Sequence, residues 1–268
     1  MDHLTISVWS LALLIAVALA FDFMNGFHDG ANSISTIVAT GALTPKQAVL
    51  FAAAFNFLAL WVFQLKVAAT IGKGTVDPQF VDHYVIFGAL MGALAWNIIT
   101  WYYGIPSSSS HALVGGLVGA TVCKAGGLSP IVWSGFGKIL AFIIISPLVG
   151  FFIGGMLMVL VAWAFRNKTP HQAGSWFRIG QLVAAGAYSL GHGGNDAQKT
   201  IGIIWMLLIA TGYAAADSTA PPTWAILSCY LAIGAGTMFG GWRIVKTMGQ
   251  KITKLKPVGG FCAETGGA

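Results

Sequence analysis

Long stretches of this chain carry no charge at all, and that restricts its fold more than any other feature. Residues 4–21, 47–65, 84–103 and 139–165 contain no Asp, Glu, Lys or Arg. About 20 predominantly apolar residues are needed to cross the hydrocarbon core of a bilayer as a helix. Of the 268 residues 56% are hydrophobic and 8% charged, against about a quarter charged in soluble domains. The sequence is therefore that of an all-α polytopic membrane protein. No Lys or Arg precedes the first run, so it reads as a spanning helix and not as a cleaved signal peptide. The net charge of +6 comes from basic residues gathered in a few loops, which points to membrane orientation and not to nucleic acid. Cys123, Cys229 and Cys262 show no paired spacing and read as packing residues.

Within the apolar runs one motif occurs twice. Gly26-Phe27-His28-Asp29-Gly30-Ala31-Asn32-Ser33-Ile34 is matched 167 residues later by Gly193-Gly194-Asn195-Asp196-Ala197-Gln198-Lys199-Thr200-Ile201. A charged side chain at the bilayer centre costs about 2.5 kcal/mol or more, so acids found there face a partner or a wet cavity. Duplicated acids of this kind suit a secondary transporter built from inverted-topology repeats. In each copy the acid and a second polar residue lie three apart, Asp29 with Asn32 and Asp196 with Lys199, and share one helix face. For Asp196 and Lys199 a plain ion pair is the competing explanation. His28 and His192 flank the expected helix breaks and are candidates for proton transfer near neutral pH. Asp22 also lies within the first predicted helix, 4–24, where the second copy has Ser189.

Asn25-Gly26 and Gly191-His192-Gly193-Gly194 predict helix breaks, tolerated at membrane depth only where freed backbone faces protein or water. The first repeat is expected over 1–165: a broken helix 4–40 (pieces 4–24 and 29–40), spans 47–65 and 84–103, a serine-capped re-entrant half-helix 107–122, and a span 136–165 containing Pro147. The second, over 166–268, begins with helices 176–190 and 195–211 and a span 223–242. Gly115 and Gly119 are expected to bring the half-helix close to a neighbour. The stretches 166–178 and 243–256 carry Lys and Arg without acids. They are assigned to the cytoplasm, with loop 212–222 and the N-terminus outside. The two copies then run antiparallel.

A second constellation is Pro106-Ser107-Ser108-Ser109-Ser110-His111. Proline suits a helix's first turn and serine caps it. The free amides and dipole of that end favour an anion. A serine turn satisfying only its own backbone is the alternative.

Together, Phe21 to Asn32, the repeat His192 to Lys199, and Gly104 to His111 resemble the bacterial inorganic phosphate transporter family, the low-affinity phosphate permeases. The resemblance implies phosphate held by Ser107, Ser108, Ser109 and Ser110, and a coupling site for a proton or cation formed by Asp29, Asn32, Asn195, Asp196, His28 and Lys199. Sodium-driven relatives carry Asn where this chain has His28 and Lys199. Proton coupling is therefore expected, with phosphate crossing in part as a neutral metal–phosphate complex; no resident cofactor is expected. The setting implied is the bacterial plasma membrane, with phosphate and lipid as partners and a homo-oligomer left open. Sodium coupling, or another oxyanion such as sulfate, are the alternatives. An intramembrane hydrolase is remote, because four equivalent serines have no distinguishable base. The second serine–histidine motif of the family would begin at position 271, so a fragment of a longer product is expected.

Overall fold

The computed structural model describes residues 6–63, 74–215, 218–252 and 254–267, apart from the side chains of 170 and 171. Nine α-helices are described: α1 Val8–Ala39, α2 Pro45–Val62, α3 His83–Tyr103, α4 Ser109–Ala125, α5 Trp133–Ala164, α6 Pro170–Ala210, α7 Thr223–Phe239, α8 Trp242–Lys246 and α9 Pro257–Gly267. Among the described residues there is no strand, only an isolated bridge between Val76 and Ile131. Helices α1, α2, α3 and α5 are long and apolar enough to cross a membrane, and α7 with the turn after it adds a fifth candidate. Helix α6 has 41 residues, about 60 Å at 1.5 Å per residue, and carries a polar stripe along its middle.

The breaks predicted in the two motif-bearing helices are absent. α1 and α6 run straight through Gly26 and Gly191–Gly194 as continuous helices. These glycines serve close packing instead. A Cβ on Gly26 would stand 2.0 Å from the Ile233 carbonyl oxygen, one on Gly193 2.4 Å from that of Asn56, and one on Gly236 1.9 Å from that of Phe23. Small residues let helices approach where no hydrophobic driving force separates helix from lipid, and an unbroken helix keeps its backbone satisfied at membrane depth. The sharp bend lies elsewhere, 51° between α7 and the following helical segment through Ile252. The predicted span 223–242 therefore stops at Phe239, and most of the basic stretch 243–256 is helical. Arg243 donates to the Tyr102 carbonyl at 2.6 Å and stacks on Trp101 and Tyr102.

Helix α3 ends at Gly104 in the left-handed region, φ 67°, and the chain returns antiparallel as α4. Its 17 residues are fewer than the roughly 20 of a full crossing. The close approach predicted for Gly115 and Gly119 is made by Gly116, against the Ala89 carbonyl; the other two meet nothing within 4 Å. At the far end Lys124 donates to Asp82, the N-cap of α3, at 2.8 Å. Burial pushes the Asp82 carboxyl up, but the Lys124 contact and the Val85 amide outweigh it and hold the group below its usual range. That small contribution to stability is present at neutral pH and lost as pH falls through the lowered range.

Two apolar clusters form the core. One gathers Leu11, Phe21, Leu90, Ile201, Ile204 and Ile233; the other Ile34, Ile37, Ala48, Ala185 and Ile244. Between them, on α1 and α6, lies a belt of buried polar side chains. Cys229 and Cys262 are buried as expected of packing residues, whereas Cys123 is exposed.

Gly26→Ala and Gly193→Ala should each destabilise the protein by about 1–3 kcal/mol through overpacking. Gly115→Ala and Gly119→Ala, with open space, should be neutral or stabilising by roughly 0.5–1 kcal/mol. Thermal unfolding in one detergent compares all four; equal effects would refute the packing role.

Candidate functional site

Both copies of the motif present polar groups at helical spacing. On α1 these are Asp22, Asn25, Asp29 and Asn32, and on α6 Ser189, His192, Asp196 and Lys199, each set at i, i+3, i+7 and i+10. Asp22 and Asp196 are each met by the other copy, Asp22 accepting from Thr200 at 3.0 Å. Asn25 donates to Asp196 Oδ2 at 3.2 Å, and one ligand atom from each of Asp29, His192 and Asp196 falls within 4.8 Å of the others. The two motifs thus face one another.

They open on a cavity of about 540 Å³ lined by Asp29, Asn32, Asn195 and Asp196, by Pro106, Ser107, Ser108 and Ser110, and by Tyr188, Gly191, His192 and Gly267. Of the serine run, Ser108 caps α4, accepting from the His111 amide at 3.3 Å, and Ser107 accepts from Trp96 Nε1 at 3.1 Å. Ser110 donates to both carboxylate oxygens of Asp196 at 3.5 Å. Ser109 differs from its predicted role. Its side chain is wholly buried, does not line the cavity, and finds no partner among the described residues. What it contributes is its backbone amide, which donates to Asp29 Oδ2 at 3.1 Å. The anion-favouring end of α4 is thus met by the protein's own carboxylate.

Two other predicted residues support the site from behind. His28 is buried, with Nδ1 at 2.8 Å from Asp29 Oδ1 and Nε2 at 2.9 Å from Thr100 Oγ1. Lys199 donates to Asp196 Oδ1 at 2.5 Å and also reaches Ser110 Oγ, so the expected ion pair with Asp196 forms. Behind the cavity, Asn56 ties three helices: its Nδ2 donates to Thr237 at 2.8 Å and its Oδ1 meets His192 Nδ1 at 3.2 Å. Asn56, Thr100 and Thr237 escaped the sequence reading, although single polar residues inside apolar runs are a usable signal. Tyr188 gave none.

With the histidines neutral, Asp29, Asp196 and Lys199 sum to one negative charge. The cavity offers donors to an oxyanion yet keeps an acid against it, and its carboxylates with His192 offer oxygen and nitrogen donors to a cation. If Asp196 and Lys199 stabilise each other, Asp196→Asn and Lys199→Met should each lower thermal stability. The double variant should recover part of the loss, with a coupling of about 0.5–3 kcal/mol. Simple additivity would show the pair to be independent.

Residues 25–268 match the family model described as the phosphate transporter family. A probable low-affinity inorganic phosphate transporter of Rhizobium meliloti (strain 1021) is 58% identical over 255 residues, 95% of this chain and 76% of the relative. One from Bacillus subtilis (strain 168) is 46% identical, covering 96% and 77%, and one from Mycobacterium bovis 41% identical, covering 99% and 63%. The chain thus spans about three quarters of the first two relatives and less than two thirds of the third. A solved structure of a sodium-dependent phosphate transporter superposes with a TM-score of 0.84 over 97% of this chain and 82% of its own, at 23% identity, which shows a shared fold.

Proposed function

The chain belongs to the phosphate transporter family, and on that premise we propose that it imports inorganic phosphate by symport with protons. It is a multi-pass integral membrane protein of a family of carriers, not of enzymes. One observation carries the coupling: Asp29 accepts the Ser109 amide at the end of α4, where the serine run offers its donors. Phosphate and an ionised Asp29 compete for the same positive end. Asp196 stands opposite, its charge offset by the Lys199 ammonium, so the cavity keeps one net negative charge. Adding phosphate to such a cavity is costly unless positive charge enters with it.

In this reading Ser107, Ser108 and Ser110, with the head of α4 once Asp29 yields the Ser109 amide, receive phosphate. Asp29, Asn32, Asn195 and Asp196 receive the coupling ion, and His28 orients Asp29. Lys199 supports proton over sodium, because its ammonium already covers the Asp196 oxygen that a sodium ion would need. The grouping of Asp29, His192 and Asp196 favours a second reading, in which phosphate crosses as a neutral complex with a divalent metal. The acid-free basic stretches support a bacterial plasma-membrane protein with its N-terminus outside, and the facing motif copies support the inverted repeat.

Radiolabelled phosphate uptake into liposomes containing the purified protein tests this. An imposed proton gradient should drive accumulation, a sodium gradient should not, excess sulfate should not compete, and Asp29→Asn should abolish accumulation. Sodium-driven uptake would overturn the coupling assignment, and uptake appearing only with added divalent metal would favour the second reading.

A further inference from the structure

Asp22 lies below the cavity and has no role in the function proposed above. It is three residues from Asn25 and seven from Asp29 on the same face of α1, about 10 Å deeper along the helix. Its side chain is wholly buried. Oδ1 accepts from Thr200 Oγ1 at 3.0 Å, the Cys229 thiol lies beside it, and Oδ2 has no hydrogen-bond partner among the described residues.

The charged groups around it leave it without a counter-ion. From α6 the nearest are Asp196 and Lys199, and Lys199 is committed to Asp196 and Ser110. From α7 come Cys229 and Tyr230, neither a cation. The titratable groups of α2 and α3 lie in their first and last turns, at Lys46, His83, Tyr84, Tyr102 and Tyr103. On α1 itself, His28 is taken by Asp29 and Thr100, and Glu264 of α9 accepts from Thr36 of α1, fourteen residues from Asp22. An ionised Asp22 therefore lacks a cation, and a neutral one depends on Thr200 Oγ1 turning from donor to acceptor. Neither form is locked in place, as loading and unloading a proton requires.

Two further observations point the same way. Ser189, the residue matching Asp22 in the second copy, is buried in the same seam with its hydroxyl unpartnered. The acid is thus an asymmetry between the copies and no general packing device. Among the described residues Asn25 Oδ1 also lacks a hydrogen-bond partner, and so does His192 Nε2, which stands 3.5 Å from Asp196 Oδ2, so a row of polar atoms runs from Asp22 through Asn25 and His192 to the cavity. Water would satisfy such a row and conduct a proton along it.

We propose that Asp22 relays the proton that the Asp29 site takes up with phosphate, accepting it from cavity water onto a carboxylate oxygen and returning it to water on the other side. Thr200 holds the carboxylate by donation and can exchange roles when the acid is protonated. Asn25, bonded to Asp196, links proton occupancy to the phosphate cavity. The inference rests on proton symport.

The test uses purified wild type, Asp22→Asn and Asp22→Glu in liposomes, with two readouts: accumulation under a proton gradient, and phosphate exchange at equal pH on both sides. Asp22→Asn should lose accumulation while its exchange persists and becomes independent of pH, and Asp22→Glu should regain accumulation. Accumulation by Asp22→Asn as in wild type would overturn the assignment. Loss of both readouts in Asp22→Asn would also overturn it, making Asp22 a packing or substrate residue. A wild type that ignores the proton gradient would instead overturn proton symport itself.

Discussion

The contact on which this molecule depends is that between the Asp29 carboxylate and the Ser109 amide at the head of α4. An acid within an apolar helix has to be answered, and a helix N-terminus is a ready answer because its unpaired amides and dipole both favour negative charge. That same end is the one to which the serine run brings its hydroxyls. The protein has placed its own anion where an anionic substrate belongs. In the proposed mechanism, substrate binding is thereby tied to whatever removes the charge of Asp29. The Asp196 carboxylate, in contrast, already has the Lys199 ammonium against one oxygen.

Everything around that contact holds two polar seams in register. Helices α1 and α6 must approach α7 and α2 closely, and glycine permits it: Gly26 and Gly236 lie against carbonyls of the facing helix, as Gly193 does against α2. Asn56 and Thr237 then satisfy polar groups that such proximity would otherwise strand. Apolar clusters above and below exclude water from the seam except through the cavity. Buried polar atoms are costly when unpaired, and four of those without a hydrogen-bond partner among the described residues, on Asp22, Asn25, Ser189 and His192, lie along the seam.

Much of this was legible in the sequence. The uncharged runs gave the helical class, and the spacing of Asp29 with Asn32 and of Asp196 with Lys199 put each pair on one face. Pro106 and the serines marked the start of α4 to within two residues. The predicted breaks at Gly26 and Gly191–Gly194 failed because glycine is ambiguous: in water it punctuates helices, but at membrane depth it admits a neighbouring backbone, and only the neighbour's position distinguishes the two. The same ambiguity moved the close contact of α4 from Gly115 and Gly119 to Gly116. That Ser109 would turn inward while its amide met Asp29 depends on how α4 docks against α1, a tertiary fact with no local signal.

The central claim is that phosphate and a neutralising proton enter the cavity together, because Asp29 and phosphate compete for one helix end. Calorimetric titration of the purified protein with phosphate, in two buffers of different ionisation heat at the same pH, measures this directly. Binding should take up protons beyond those that phosphate's own titration accounts for. A binding heat independent of the buffer, once phosphate's own protons are subtracted, would contradict the account.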